Sequence, residues 1–271
     1  MIIQSKDRKL VTVVWLVGIV AIWELVAFLL QYILHDPLAA TKLPFPHVIL
    51  ITFIQNGFML LGAGVVTFSR AAFGFALGAG VGFVLAIIMS LSKTVERIAF
   101  PYLIISQMIP VLGLAPIIFN IVRDMDTSRI VIAAYITFFP VSVNMLSGLK
   151  SVEQDKKELL YSIAANNYKI YRKLMLPFSM PYLFTGLKIA APMAVTASIL
   201  VDMLGSSSGI GVKLLYSLYS GSTDIFWASV ITSAIMGILS YYMVVTAEKI
   251  LIPWQNVSTK KRKKAVIVNE E

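Results

Sequence analysis

Cysteine does not occur among the 271 residues of this chain. Its absence excludes a disulfide framework, a thiolate metal site and a cysteine nucleophile. Histidine is almost as scarce, and the residues around His35 and His47 do not show the spacing of metal ligands, so we predict no metal site. A G-x-x-x-x-G-K-[ST] phosphate loop, a serine–histidine–acid set and a catalytic carboxylate pair are also missing from the sequence. We therefore predict that the chain is not an enzyme and binds no cofactor itself.

Charged residues are few as well. They make up 14% of the chain against 58% hydrophobic residues, and the mean hydropathy is +0.83, which is too apolar for the water-facing surface of a globular domain. Apolar segments recur along the sequence, each long enough to cross about 30 Å of hydrocarbon as a helix. The segments are 10–34, 60–91, 99–122, 129–149, 180–204 and 226–251. The composition thus predicts an all-α membrane protein with six transmembrane helices.

The first apolar segment follows Lys6, Arg8 and Lys9, and such a basic start is also typical of a secretory signal. This segment is longer than the apolar part of a signal and carries Glu24 within it, and only a weak small-residue pattern follows at 38–40. We interpret it as a first transmembrane helix that is retained.

Lysine and arginine give the chain a net charge of +9. Of these 23 residues, 17 fall in connections on one side of the six predicted spans and four on the other. The side rich in basic residues is the cytoplasm, so we attribute the charge to membrane topology and not to nucleic-acid binding. We predict a cytoplasmic tail at 1–9, a membrane body at 10–254 and a basic cytoplasmic tail at 255–271 against anionic headgroups.

Glycines recur every four residues in the second predicted span, at Gly74, Gly78 and Gly82. One face of that helix is nearly bare backbone, which predicts the close approach of another helix. The third predicted span contains three prolines, which kink a helix and often face protein or a water-filled cavity. Gln107 lies one turn before Pro110, and we expect it either to line a pathway or to make an interhelical hydrogen bond.

Charged side chains inside the predicted spans each need an explanation, because burial of a charge in hydrocarbon is costly. Lys188 is long enough to reach back to the membrane interface, and we expect Glu24 to pair within the bundle. Arg70 and Asp202 both fall near the outer ends of their spans, so we predict that they pair with each other.

The longest predicted cytoplasmic connection runs from residue 150 to about 177. Its pattern indicates two short helices, 153–163 and 167–175, with Asn166-Asn167 as the break and Pro177 as the stop. Two short helices that project from the membrane suit docking to a soluble partner, although an amphipathic loop without such a role would share the pattern.

The residue order in this loop resembles the E-A-A motif of permeases in binding-protein-dependent ABC importers. The matching residues are Glu158-Leu159-Leu160-x-x-x-Ala164 and, after nine intervening residues, Leu174-x-Leu176-Pro177. Two leucines stand where the motif has alanines and Ala164 stands where it has glycine, which affects the bend between the helices, but the spacing is kept.

The resemblance covers about residues 15–254, nearly the whole chain. Its further matches are Thr67-x-x-Arg70-x-x-x-Gly74-Phe75, Gly186-Leu187, Asp202-Met203 and the serine- and glycine-rich run 205–211. The branch with nitrate, taurine and alkanesulfonate permeases is matched by Gln107-x-Ile109-Pro110 and Phe139-Pro140-x-x-x-Asn144.

This resemblance implies a permease of the type I importer fold in a bacterial inner membrane, with a cytoplasmic two-helix coupling loop. Its expected partners are cytoplasmic ATPase subunits that use the ATP, a second permease copy, an extracytoplasmic binding protein and the lipid bilayer. The residues expected to couple to the ATPase are Glu158, Leu159, Leu160, Ala164, Leu174, Leu176 and Pro177. Those expected at the pathway or its gate are Arg70, Gln107, Pro110, Asp202 and Met203.

The substrate is expected to be a small solute of the sulfonate, taurine or nitrate type. A thiamine-pyrimidine precursor or riboflavin would suit the same architecture. An ion-coupled secondary transporter would need buried carboxylate relays and often internal repeats, neither of which is evident here. A membrane scaffold or receptor would not need the E-A-A spacing.

Overall fold

The computed structural model describes residues 5–35 and 39–254, and for residues 5–9, 40 and 41 only the backbone. This part of the chain contains helices and no strand. The helices are α1 (Ser5–Phe28), α2 (Ala39–Lys42), α3 (Pro46–Gln55), α4 (Gly57–Leu91), α5 (Lys93–Met108), α6 (Val111–Val122), α7 (Met125–Lys150), α8 (Gln154–Ser162), α9 (Asn167–Ile170), α10 (Leu176–Asp202), α11 (Ile210–Tyr219) and α12 (Thr223–Leu251), with π-helical turns at Leu29–Ile33 and Tyr171–Met175. The prediction of an all-α membrane fold is confirmed.

Five helical stretches in the described residues are long and apolar enough to cross a membrane. They are Leu10–Ile33, Gly57–Leu91, Met125–Lys150, Asn167–Asp202 and Thr223–Leu251. A sixth span exists only if α5 and α6 are counted together, and these two helices meet at an angle of 99°. The kink predicted for the span 99–122 is therefore a sharp break between two helices.

The physical reason for this sharp bend lies at Ile109-Pro110. Proline has no backbone N–H and disfavours a helical conformation in the residue before it. Ile109 accordingly has an extended backbone (φ −79°, ψ 121°), and α6 starts again directly after Pro110. Pro101 and Pro116, by contrast, lie inside their helices without ending them.

The helices α4, α7 and α10 form the centre of the bundle, and α7 lies between the other two. The glycine face of α4 contacts the backbone of α7: a Cβ atom on Gly78 would lie 2.4 Å from the carbonyl oxygen of Ala134. Gly74 and Gly82 face α7 in the same way. On the other side of α7, a Cβ on Gly186 of α10 would lie 2.7 Å from the carbonyl oxygen of Pro140. Because glycine has no side chain, the helix backbones pack directly against each other at both interfaces.

The first helix differs from this centre because most of its side chains are exposed. Its contacts are concentrated near its C-terminal end, where the Trp23 indole N–H donates to the Pro44 carbonyl oxygen at 3.1 Å and the ring packs edge-on against Trp227. Glu24 lies 2.6 Å from His47, so the expected pairing of Glu24 within the bundle is confirmed. The predicted tails fall at 1–9, where the structure begins α1 at Ser5, and at 255–271, outside the described residues.

Candidate functional site

The loop between α7 and α10 is folded onto one end of the bundle. Buried side chains at both its ends, Val152 and Ile170, hold it to the body of the protein. Between them, the Lys156 ammonium group lies 5.4 Å from the centre of the Phe178 ring, an attractive cation–π contact. The loop is therefore an ordered part of the fold with a fixed orientation.

Large apolar side chains on this loop point away from the bundle. Leu159 is 66% exposed and Ile163 is 69% exposed, and Tyr161 and Tyr168 beside them are also exposed. Glu158 is exposed next to them and accepts a hydrogen bond of 3.2 Å from the Gln154 side-chain amide. Clustered exposed apolar residues with a polar rim are typical of a surface that binds another protein.

The bend between α8 and α9 depends on Ala164. Its backbone is left-handed, with φ of 59°, a conformation that glycine adopts without strain and alanine does not. The N–H of Ala164 donates to the Tyr161 carbonyl oxygen and that of Ala165 to the Leu160 carbonyl oxygen, at 2.9 and 3.0 Å. This is the Schellman pattern that closes a helix end, so the bend keeps its geometry although alanine occupies the glycine position.

The second half of the loop does not end where the sequence predicted. Pro177 was expected to stop the helix, but α9, the π-helical turn and α10 form one continuous stretch of 36 residues, Asn167–Asp202. The wide turn before Pro177 keeps the chain helical, with the Leu176 N–H donating to the Tyr171 carbonyl oxygen. Proline is tolerated in the first turn of the helix that follows. Leu174, Leu176 and Pro177 are half-buried on the side of the bundle.

The opposite end of α10 carries a buried polar cluster. The Asp202 carboxylate accepts a hydrogen bond of 2.5 Å from the Thr67 hydroxyl of α4, and its other oxygen lies 3.3 Å from Nε of Arg129 in α7. Asp202 and Arg129 are each 1% exposed. The Thr67 oxygen also accepts the backbone N–H of Ile210 at 2.9 Å. A buried carboxylate needs such partners, since an unpaired charge is strongly disfavoured inside a protein.

A second layer of the same cluster holds the loop 203–209. The Arg70 guanidinium donates to the carbonyl and hydroxyl oxygens of Ser208 at 3.3 and 3.2 Å and lies 2.8 Å from Asp126. Arg129 also contacts Asp126 at 2.8 Å and donates to the Ser206 hydroxyl. The cluster thus joins α4, α7 and α10 to the loop that follows α10.

The predicted direct pair between Arg70 and Asp202 is corrected by this arrangement. Arg70 pairs with Asp126, and Asp202 pairs with Arg129. Both predicted residues belong to the same cluster, but the sequence analysis did not identify Arg129 or Asp126 as their partners. Their spacing of three residues at the start of an apolar helix was the signal that could have found them.

Lys188 has a partner that the sequence did not indicate. Its ammonium group contacts both carboxylate oxygens of Glu248 in α12, at 3.0 and 2.9 Å, while its reach to the membrane interface stays a prediction. Both side chains are largely buried. The pair connects α10 to α12 and removes an uncompensated charge from each helix.

The bend between α5 and α6 carries the remaining predicted pathway residues. Pro110 is exposed at the break, and Gln107 is half-buried one turn earlier. The side-chain nitrogen of Gln107 finds no hydrogen-bond partner among the residues that the structure describes. Met203 is half-buried in the last turn of α10. In the described ranges, no three His, Cys, Asp or Glu residues form a group that could hold a metal ion.

Solved structures with a similar fold include chains of two ABC transporters. A chain of an amino acid ABC transporter superposes with a TM-score of 0.60 at 13% identity, covering 73% of this chain and 97% of that chain. A chain of the MetNI methionine ABC transporter in an inward-facing conformation superposes with a TM-score of 0.54 at 22% identity, covering 70% and 94%. At these sequence identities, the superpositions show a shared fold and carry no statement about function.

Sequence relatives are permease proteins. The formylaminopyrimidine transport permease ThiX of Halalkalibacterium halodurans is 32% identical over 191 residues, 70% of this chain and 76% of that protein. A putative aliphatic sulfonates transport permease, SsuC of Bacillus subtilis, is 29% identical over 241 residues, 88% and 85% of the two chains. The nitrate import permease NrtB of Synechocystis is 26% identical over 223 residues, 81% of each.

The sequence pattern of one transport family matches residues 78–252 of this chain, from the glycine face of α4 through the exposed loop to the end of α12. This range includes the residues Glu158 to Pro177 that resemble the E-A-A motif. Together with the fold and the permease relatives, it shows that the chain belongs to the family of binding-protein-dependent transport system inner membrane components.

Proposed function

We propose that this permease chain lies in a bacterial inner membrane with both termini in the cytoplasm and that two copies enclose a pathway for a small solute. A cytoplasmic ATPase docks on the loop 150–177 and supplies the hydrolysis, and an extracytoplasmic binding protein delivers the substrate. The chain itself binds no ATP and no nucleic acid. The observation that carries this proposal is the exposed apolar surface of α8, which lies next to one end of the 36-residue helix Asn167–Asp202.

The proposed coupling role rests on the continuity of this helix. At a rise of about 1.5 Å per residue it is about 54 Å long. This length is enough to connect the loop 150–177, which we call the docking loop, with the polar cluster around Asp202. Leu159 and Ile163 provide the apolar contact with the ATPase, and Glu158 provides a polar contact at the edge. A shift of the loop moves α10 as a unit because the helix has no break at Pro177, and Asp202 at its end holds the loop 203–209 through the cluster.

The pathway is proposed to run along the face that carries the bend between α5 and α6. The side-chain nitrogen of Gln107 is buried and has no hydrogen-bond partner among the described residues, and Pro110 is exposed and Met203 half-buried at helix ends. We include a second copy in the proposal because two related chains can form a pathway between them.

The proposed substrate is a small sulfonate, taurine or nitrate, in line with the names of two relatives. A formylaminopyrimidine is the second candidate, because the relative named for that substrate is 32% identical to this chain. Uptake of a labelled alkanesulfonate and a labelled formylaminopyrimidine by cells that express the chain with each cognate binding protein would separate them. Uptake of the pyrimidine alone would reject the sulfonate proposal.

The coupling proposal is tested by crosslinking. Because the chain has no native cysteine, only the introduced cysteine of this chain can react. A Leu159→Cys variant should crosslink to cysteines placed in the groove of the ATPase, with a yield that changes when nucleotide is added. Tyr219→Cys is a matched control, since this exposed side chain lies on α11, outside the docking loop. Uptake that persists without any ATPase subunit would instead support the ion-coupled secondary transporter.

A further inference from the structure

A basic cavity of about 480 Å³ lies at the end of the bundle that carries α8. Four of its lining residues are cationic, Lys93, Arg97, Lys150 and Lys157, and one is acidic, Glu96. Lys150 pairs with Glu96. The other three cations have no ion pair within the residues that the structure describes. Three like charges around one cavity repel each other unless an anion is bound between them.

The other side of the cavity is apolar. Met89, Leu149 and Met175 line it, and the first two are almost completely buried. The cavity therefore offers positive charge on one side and hydrocarbon on the other. A soluble inorganic anion would use only the charged side, whereas a phospholipid would use both, with its phosphate on the cations and its glycerol and first methylene groups on the methionines.

The cavity also lies at the depth of a lipid headgroup. Lys93 follows two residues after the membrane-spanning helix that ends at Leu91, and Lys150 is the last residue of the span Met125–Lys150. Basic cavities between transmembrane helices near the cytoplasmic surface suit anionic headgroups, because the lipid phosphates and the cations meet there in a region of reduced dielectric constant. Arginine and lysine both bind phosphate oxygens through charge-assisted hydrogen bonds.

We propose that the basic cavity binds a phosphate group, carried by the headgroup of an anionic phospholipid. The inference rests on the proposed function only for the side of the membrane, which makes the lipid one of the cytoplasmic leaflet. Because Lys157 precedes Glu158 on α8 while Lys93 and Arg97 belong to α5, a bound phosphate bridges the docking loop to the transmembrane bundle. Anionic lipid thus holds α8 in a fixed position relative to α5.

Binding is tested on the full chain purified with its ATPase, stripped of lipid and titrated with phosphatidylglycerol in phosphatidylcholine nanodiscs. Native mass spectrometry measures the anionic lipid retained per complex. Arg97→Gln should weaken retention about fivefold, the effect of removing one cation near a membrane surface. Arg97→Lys keeps the charge and should retain the lipid. Lys249→Gln removes a charge at the end of α12, outside the cavity, and should leave retention unchanged.

The source of the phosphate is decided by competition with inorganic phosphate. Retained phosphatidylglycerol that tens of millimolar phosphate does not displace supports the lipid. Complete displacement supports the phosphate site but assigns it to a soluble ligand. Equal lipid retention by wild type, Arg97→Gln and Lys93→Gln overturns the proposal, and so does loss of the ATPase from Arg97→Gln with lipid retention unchanged. If no ATPase co-purifies with the wild type, the coupling proposal fails. The same lipid titration on the chain alone still tests whether the basic cavity binds the lipid phosphate.

Discussion

The two ends of the helix Asn167–Asp202 are built in opposite ways. At one end, Asp202 is buried and its carboxylate contacts Thr67 and Arg129 of the same chain. Beside the other end, Leu159 of α8 and Ile163 directly after α8 are exposed, with no partner in the described residues that would cover them. One end is therefore completed within the chain, and the other leaves an apolar surface that the proposed ATPase would cover. Substitutions at the first should change stability, and those at the second should change coupling.

The largest expected loss of unfolding free energy is at the buried cluster around Asp202. Asp202→Ala removes the carboxylate that faces the buried Arg129, and breaking a buried pair by removing one partner costs about 3–5 kcal/mol. Thermal unfolding of the purified chain in detergent should show this loss. Glu153→Ala is the control, because both side chains of its pair with Lys156 are exposed, at 66% and 46%, and exposed pairs contribute only about 0–1 kcal/mol. Equal losses in the two variants would contradict the assignment of Asp202 to the interior of the cluster.

The partner of Asp202 can be tested in the same assay. A double-mutant cycle of Asp202→Asn with Arg129→Gln should give a coupling free energy of about 1–3 kcal/mol, because the two side chains are in contact. The cycle of Asp202→Asn with Arg70→Gln should give a smaller value, since Arg70 pairs with Asp126. A larger coupling free energy in the Arg70 cycle than in the Arg129 cycle would support the direct Arg70–Asp202 pair predicted from the sequence.

The next largest effect is expected at the glycine interface between α4 and α7. A Cβ on Gly78 would lie 2.4 Å from the Ala134 carbonyl oxygen, so Gly78→Ala must push the helices apart, at about 1–3 kcal/mol of unfolding free energy. At Gly80, on the exposed face of α4, a Cβ meets no atom within 4 Å. Gly80→Ala should leave stability unchanged or raise it by about 0.5–1 kcal/mol through better helix propensity. If both alanines have the same effect on the unfolding midpoint, the backbone contact is not where we describe it.

A smaller, stabilising effect is expected at the bend of the docking loop. Ala164→Gly relieves a left-handed backbone, which costs a non-glycine residue about 1–2 kcal/mol. Ala165→Gly is the control, because Ala165 is not among the residues with positive φ. Hydrogen exchange of the amides at 160–166 should slow in the first variant and not in the second. Faster exchange in Ala164→Gly would mean that the alanine backbone is not strained.

The smallest effect on stability is expected at the exposed surface of α8, where the effect on transport is large. Leu159→Asp and Glu158→Ala should change the unfolding free energy by less than about 0.5 kcal/mol, as is usual for exposed positions. The same variants should lose the ATPase on purification or lose substrate-stimulated hydrolysis. Undiminished uptake by a double variant with Glu158→Lys and Leu159→Asp would show that this loop does not transmit the movement of the ATPase.

Some features of the site followed from the sequence and others did not. The docking loop could be predicted because its helix, bend and second helix depend on local residue order, and Ala164 and Asn166 act on their own neighbours. The prolines of the third predicted span indicated a kink, but neither the proline that breaks the helix nor the angle was predicted, because proline removes a hydrogen bond without fixing the direction of the next helix. The continuous helix through Pro177 was missed because the π-helical turn before it leaves no clear pattern in the sequence.

Composition and short-range periodicity were enough to predict a helical membrane protein and the bare glycine face of α4, and the predictions of topology and of the docking loop rest on the same patterns. These patterns do not depend on how the helices are rotated against each other. The partners of the buried charges, by contrast, depend on the three-dimensional packing. Arg129 meets Asp202 and Lys188 meets Glu248 because packing sets the rotation of each helix, and a charge pairs with the opposite charge that this rotation brings within about 4 Å.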